Sequence, residues 1–207
     1  MISMSRKEQT AALKWCQHRS PIGYLVFYMN GKWGTAHDND HNIIINFLSC
    51  WKSAKGALLI QGRKPLENIS ISVPSPQQEY LVRREFITLL MSMAPRLVRS
   101  EYFEELDAFS RDMRDLFVWD KHMEDTWTGY GIVAADGMGR YDERDRRFEG
   151  HEESEEAASM YAGCLLQECD VEKAEAVLSP FADSEDPEIV RQIELLRRLQ
   201  AVKKPTA

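Results

Sequence analysis

The apolar pattern of this chain changes character at Pro74 and Pro76, and that change constrains the fold more than any other feature. Before these prolines, β-branched and aromatic runs alternate with turn-forming residues. After them, apolar residues recur with helical spacing. The composition is that of an ordinary globular protein, with a hydrophobic share of 43% and a charged share of 29% over 207 residues.

The N-terminal stretch reads as a mixture of helix and strand. Residues 5–18 form a helix opened by Ser5, with Glu8 as its capping-box partner, and ended by Pro21 and Gly23. Residues 22–28 are rich in β-branched and aromatic side chains and meet Asn30-Gly31, a two-residue hairpin signal, so a strand and a short return strand over 32–35 are expected. Residues 41–55 fit a helical stripe through Ile44, Phe47/Leu48 and Trp51, ending at Gly56 and capped by Asp38 or Asp40. Residues 57–61 and 68–73 read as two strands of a hairpin turned at Gly62-Arg63-Lys64-Pro65.

Past the prolines, Val82, Phe86, Leu89/Leu90 and Met93 mark a helix that stops near Pro95. Tyr102, Leu106, Phe109, Met113 and Leu116/Phe117 mark another, with the acidic residues held away from that face. Residues 129–135 suggest one more strand. The densely charged, aliphatic-poor segment 137–156 reads as a solvated linker or a surface excursion, and three helices follow it, the last opened by Asp186 before Pro187. The expected fold class is therefore α+β, a small, mainly antiparallel sheet with covering helices followed by a C-terminal three-helix subdomain. The expected division is 1–136, a charged linker over 137–156, and 157–207.

Within the last part, residues 157–187 resemble a single tetratricopeptide repeat. Small residues Ala158, Ala162 and Ala174 allow close helix approach, Leu165, Leu178 and Phe181 supply larger contacts, and a proline arrives near the end of the repeat. Tyr161 stands where that family usually has Leu, Ala162 where it often has Gly, and the proline comes one position late. The resemblance implies a protein-binding helical hairpin. No second copy is present, although arrays of this kind usually need about three.

Charge divides lengthwise. Residues 1–99 hold 13 Lys+Arg against 6 Asp+Glu, and residues 100–207 hold 13 against 27. Such asymmetry bears on association rather than on fold. The acidic half offers Glu101, Glu104, Glu105, Asp112, Asp115, Glu152 and Glu153 as a surface for a basic partner. The basic half offers Arg63, Lys64, Arg83, Arg84, Arg96 and Arg99, interleaved with Tyr80 and Phe86, which could instead contact nucleic acid or receive the chain's own acidic half. Nucleic acid is the less favoured partner. A homodimer pairing opposed halves by two-fold symmetry is compatible with this pattern.

Catalytic signatures are weak. His37, Asp38, Asp40 and His41 form the densest ligand-like cluster, with no second motif to supply an obvious third ligand; as a metal site they would support a metal-dependent hydrolase or nuclease gripping a phosphorylated substrate. Cys16 lies near His18 and Arg19, but two-residue spacing on a helix does not bring the first two together. Gly129, Gly131 and Ala134 fit a loose dinucleotide pattern whose context fails, with no buried strand before it. The four cysteines show neither CxxC spacing nor disulfide-scaffold density, which points to reduced thiols. With no secretory-type leader and no apolar run near the roughly 18 residues of a membrane span, the expected location is the cytosol. The favoured expectation is a non-catalytic regulatory protein without a cofactor, whose acidic helical half docks on a basic protein, in the manner of inhibitors, immunity proteins and accessory proteins of bacterial mobile elements.

Overall fold

The computed structural model describes residues 5–32, 39–62, 68–116 and 121–203. The chain runs α1 (Arg6–Cys16), α2 (Pro21–Lys32), α3 (Asp40–Ile60), α4 (Pro76–Arg99), α5 (Phe103–Leu116), α6 (Lys121–Gly137), α7 (Tyr141–Phe148), α8 (Glu155–Gln167), α9 (Val171–Leu178), a 3₁₀ turn (Ser179–Phe181) and α10 (Pro187–Lys203). Among the described residues there is no strand, so the fold is all-α and the expected antiparallel sheet is absent.

Each expected strand fails for a physical reason. Residues 22–28 lie in α2, where Ile22, Leu25, Val26 and Met29 are buried at the i, i+3, i+4, i+7 spacing of a helix and Phe27 is buried beside them. A helix surrounded by apolar neighbours can be rich in β-branched residues, because burial outweighs a propensity difference of a few tenths of a kcal/mol. The supposed hairpin turn is helical as well, with Asn30 Nδ2 donating to the Val26 carbonyl at 3.1 Å. Of the expected return strand over 32–35, Lys32 ends α2 and the rest lies outside the described residues.

α3 begins as expected, but its N-cap is Asn39, whose side chain accepts from the Asn42 N–H at 3.0 Å. Asp40 is the first helical residue instead. The helix runs through Gly56 and absorbs most of the strand expected over 57–61; it stops at Gln61, followed by Gly62 at φ +75. A left-handed glycine just past the last turn is a stronger stop than an interior glycine, whose cost of about 1 kcal/mol packing can override.

Residues 69–73 do show period-two burial, Ile69 and Ile71 inward with Ser70 and Ser72 outward. Among the described residues no partner strand lies beside them. Side chains take the place of a ladder: the Ser70 N–H donates to Gln61 Oε1 at 2.6 Å, Gln61 Nε2 donates to the Ser70 carbonyl at 3.0 Å, and Arg83 Nη2 donates to the Ile69 carbonyl at 2.8 Å.

α4 does not stop near Pro95. It continues to Arg99, keeping Ala94 and Leu97 buried, and closes with a Schellman arrangement in which the Tyr102 N–H reaches the Leu97 carbonyl and Glu101 adopts φ 59. The strand expected over 129–135 is the interior of α6. Gly129 and Gly131 serve close packing there, since a Cβ at Gly129 would meet Met160 Sδ at 2.6 Å and one at Gly131 would meet Arg147 Nη1 at 3.0 Å.

Two compact units result: Met1–Tyr102 with Asp115–Trp119, and Phe103–Arg114 with Asp120–Ala207. The first is organised around α2, which packs on α1, α3 and α4. Its core includes Leu25, Phe27, Ile44, Phe47, Phe86, Leu90 and Met93. α3 is long and apolar enough, with mean hydropathy 1.3, to cross a membrane by length and composition, whereas no such span is expected from its sequence; it turns Ile43, Ile44, Phe47, Trp51, Ala54 and Leu58 into the core of this unit.

The second unit centres on α6, which packs on α7 and α8, with α9 and α10 continuing from α8. Phe109 of α5 meets Trp127 of α6 edge to face at 5.1 Å. The expected charged linker 137–156 contains α7, and its Arg144 is buried. In the hairpin of α8 and α9, Ala158, Ala162, Leu165, Ala174 and Leu178 are all buried, and Phe181 packs against the Ala162, Leu178 and Ile189 cluster.

Candidate functional site

α5 is strongly amphipathic. Leu106, Phe109 and Met113 are buried on one side, while Glu104, Asp112 and Asp115, at i, i+8 and i+11, follow the opposite side with Glu105 at its edge. Glu104 and Glu105 also sit in the first turn, where the helix dipole favours carboxylates. Glu104 and Asp115 are exposed, and Glu105 and Asp112 are half-buried. Glu101 is exposed at the left-handed position after α4. Glu152 and Glu153 are exposed in the turn before α8, and the Gly150 N–H donates to Glu152 Oε1 at 3.0 Å, which with Glu152's own backbone N–H holds its carboxyl below the usual range.

The candidate basic residues are engaged within their own unit. Arg83 pairs with Glu79 at 2.9 Å and Arg84 with Glu85 at 2.7 Å. Arg96 and Arg99 both pair with Asp40, the latter at 3.3 Å. Arg63 and Lys64 lie outside the described residues. The first unit carries 13 Lys+Arg against 8 Asp+Glu, and the second 13 against 25. The lengthwise charge split thus follows the division into folding units.

The candidate metal cluster is dispersed in role. Asp40 is taken by the two arginines, and His41 Nδ1 is hydrogen-bonded to the Tyr102 hydroxyl. His37 and Asp38 lie outside the described residues. Among the described residues no group of three or more His, Cys, Asp or Glu is placed to hold a metal ion. Cys16 is fully buried, and burial pushes its thiol up to about 11, which disfavours the thiolate at neutral pH. Gly129, Gly131 and Ala134 lie within one helix and form no phosphate-cradling loop.

Two polar clusters in the second unit escape a reading based on apolar periodicity. In the first, Arg144 is 4% exposed and donates to Asp136 at 2.7 Å, Glu168 at 2.7 Å and Asp145 at 2.9 Å. Burial alone would lower its pKa; its bonds to Glu168, Asp136 and Asp145 raise it overall. Lys173 and the Tyr161 hydroxyl also donate to Asp145, at 2.6 and 2.8 Å. Burial works to raise the Asp145 pKa, but the bonds from Lys173, Tyr161 and Arg144 hold it below its ordinary value. Tyr161, which departs from the tetratricopeptide pattern, is thus the α8 residue that receives α7. Nearby, Arg147 joins α7 to the Gly131 carbonyl at 2.6 Å and to the buried Asp107 at 2.7 Å.

The second cluster joins Asp125 of α6 to His151 and Lys121, both at 3.0 Å. Burial would raise the Asp125 pKa, but the hydrogen bonds from His151 and Lys121 lower it overall. The Arg144 signal was present in the sequence as Tyr141, Arg144 and Phe148 at helical spacing, masked by the high charge of the segment.

No family model matches the chain, and neither a curated protein nor a solved structure matches it.

Proposed function

We propose that this protein is a non-catalytic interaction module whose acidic helical unit docks on a basic protein partner, as inhibitors, immunity proteins and bacterial accessory proteins do. The observation that carries this reading is the confinement of the acidic excess to one folding unit, 25 Asp+Glu against 13 Lys+Arg. The amphipathic α5 strengthens it, because its apolar side is spent on the core while Glu104, Asp112 and Asp115 lie on the other side. A surface of this kind speeds encounter with a cationic partner and loses affinity as salt screens it.

The test is binding to an immobilised nona-arginine peptide, with nona-glutamate as control. Affinity for the cationic peptide should fall steeply between about 50 and 300 mM salt. It should fall again in the variant combining Glu104→Gln, Glu105→Gln, Asp112→Asn and Asp115→Asn. Binding indifferent to both would refute the reading.

A further inference from the structure

A cavity of about 410 Å³ opens beside the first turn of α6, lined by Lys121, Asp125, His151, Glu152, Glu153 and neighbouring backbone. Its least exposed charged group is Asp125, 6% exposed. Among the described residues the two partners of Asp125 bind the same oxygen: Lys121 Nζ and His151 Nδ1 each lie 3.0 Å from Oδ1. Oδ2 meets no partner among the described residues. A carboxylate this buried gains most from a donor or cation on its open oxygen. The ammonium already present is a loose one, since the Lys121 side chain is 73% exposed.

The rim adds two more carboxylates, Glu152 and Glu153, so the described lining presents three acids against one lysine and one imidazole. An anion is disfavoured there despite the nearby N-terminus of α8, because Glu155 and Glu156 already occupy its first turn and Ser154 accepts the Ala157 N–H. The donor set is also unlike that of a metal, with no three-ligand group among the described residues. The acidic balance and the open Asp125 oxygen suit a planar organic cation with several donors, and a guanidinium is such a group.

We propose that this cavity is the socket for an arginine side chain of the basic partner. The assignment rests on the docking reading above and gives it an anchor point, since interface energy concentrates in a few residues that fill pockets.

The test uses the full chain and follows the His151 ring signal by NMR, assigned with His151→Gln, during titration with N-acetylarginine amide. N-acetylcitrulline amide, its uncharged isostere, is the control. The expected result is a saturable His151 shift with the arginine probe and affinity at least about tenfold weaker with citrulline. Asp125→Asn should weaken the arginine probe about tenfold, and Glu153→Gln, at an exposed rim position, about threefold. Equal response to the two probes, or affinity unmoved by Glu153→Gln, overturns the socket even where Asp125→Asn does not fold. Nona-arginine binding that falls on α5 neutralisation but ignores Asp125→Asn and Glu153→Gln leaves the docking reading standing and overturns the socket. The reverse pattern, a working socket with nona-arginine binding indifferent to α5 and salt, refutes the docking reading instead.

Discussion

Arg144 should be the costliest single side chain to remove from the second unit. Its guanidinium is buried and satisfies three carboxylates on different segments: Asp136 near the end of α6, Asp145 on α7 itself and Glu168 at the cap of α8. Removing one partner of a buried ion cluster usually costs about 3–5 kcal/mol, because the charges left behind lose both hydration and pairing. The lower end applies here. The side chains of Asp136, Asp145 and Glu168 keep 16%, 36% and 32% of their exposure, and Asp145 retains Lys173 and Tyr161. For Arg144→Ala the expected loss is therefore about 3 kcal/mol, or a fall of about 1.5 M in the urea midpoint at an m-value near 2 kcal/mol/M. Arg144→Lys should recover only part of it, since one ammonium cannot reproduce the fork that reaches three acceptors. Because the chain has two units, hydrogen exchange is the sharper assay. Amides of α6 to α9 should lose protection in Arg144→Ala while those of α2 to α4 keep theirs. A change under 0.5 kcal/mol, or equal loss of protection in both units, would refute the view of Arg144 as a local clamp.

Three further outcomes follow from the same structure. Gly56→Ala, where an added Cβ meets nothing within 4 Å, should stabilise by about 1 kcal/mol in thermal melts, whereas Gly137→Ala, whose Cβ would lie 2.5 Å from the Phe103 ring, should destabilise by about 1–3 kcal/mol. In a native thiol titration Cys169, which is exposed, should react first, while Cys16 and Cys164, both buried with thiols pushed up by desolvation, should react only on unfolding. Asp125 and Asp145 have folded-state pKa values below their unfolded ones, so their stabilisation is complete above about pH 5 and is lost as pH falls through the folded values. Urea midpoints measured from pH 7 down to about pH 3 should show that loss, with a shallower acid slope in Asp145→Asn.

In the second half, α5 and the three helices after 157 are legible from sequence, and α5 shows why, because its faces are two-sided. Leu106, Phe109 and Met113 against Glu104, Asp112 and Asp115 state both where the core lies and what faces away from it. The strand expected over 22–28 is instead α2, which is apolar on nearly every side. A helix that is buried all round loses the periodic contrast that distinguishes it from a strand, and its β-branched content then points the wrong way. Ile69 and Ile71 alternate as a strand would, yet Gln61 and Arg83 satisfy backbone groups that a neighbouring strand would otherwise claim. Segment 137–156 was misread for the opposite reason. Its charges carry no apolar stripe, and only the arrival of Asp136, Glu168 and Tyr161 from other helices makes burial of Arg144 tolerable.

From sequence alone came the charge split, the amphipathic acidic helix and the positions of most helix starts, because each depends on residues within a few turns of one another. The tertiary structure decided that α2 is a helix, that Arg83, Arg84, Arg96 and Arg99 are paired with carboxylates of their own unit, and that Asp125 and His151 share a cavity. Those outcomes depend on which distant side chains are brought within a few ångströms, and the energy of burying a charge is set by those neighbours rather than by the segment that carries it.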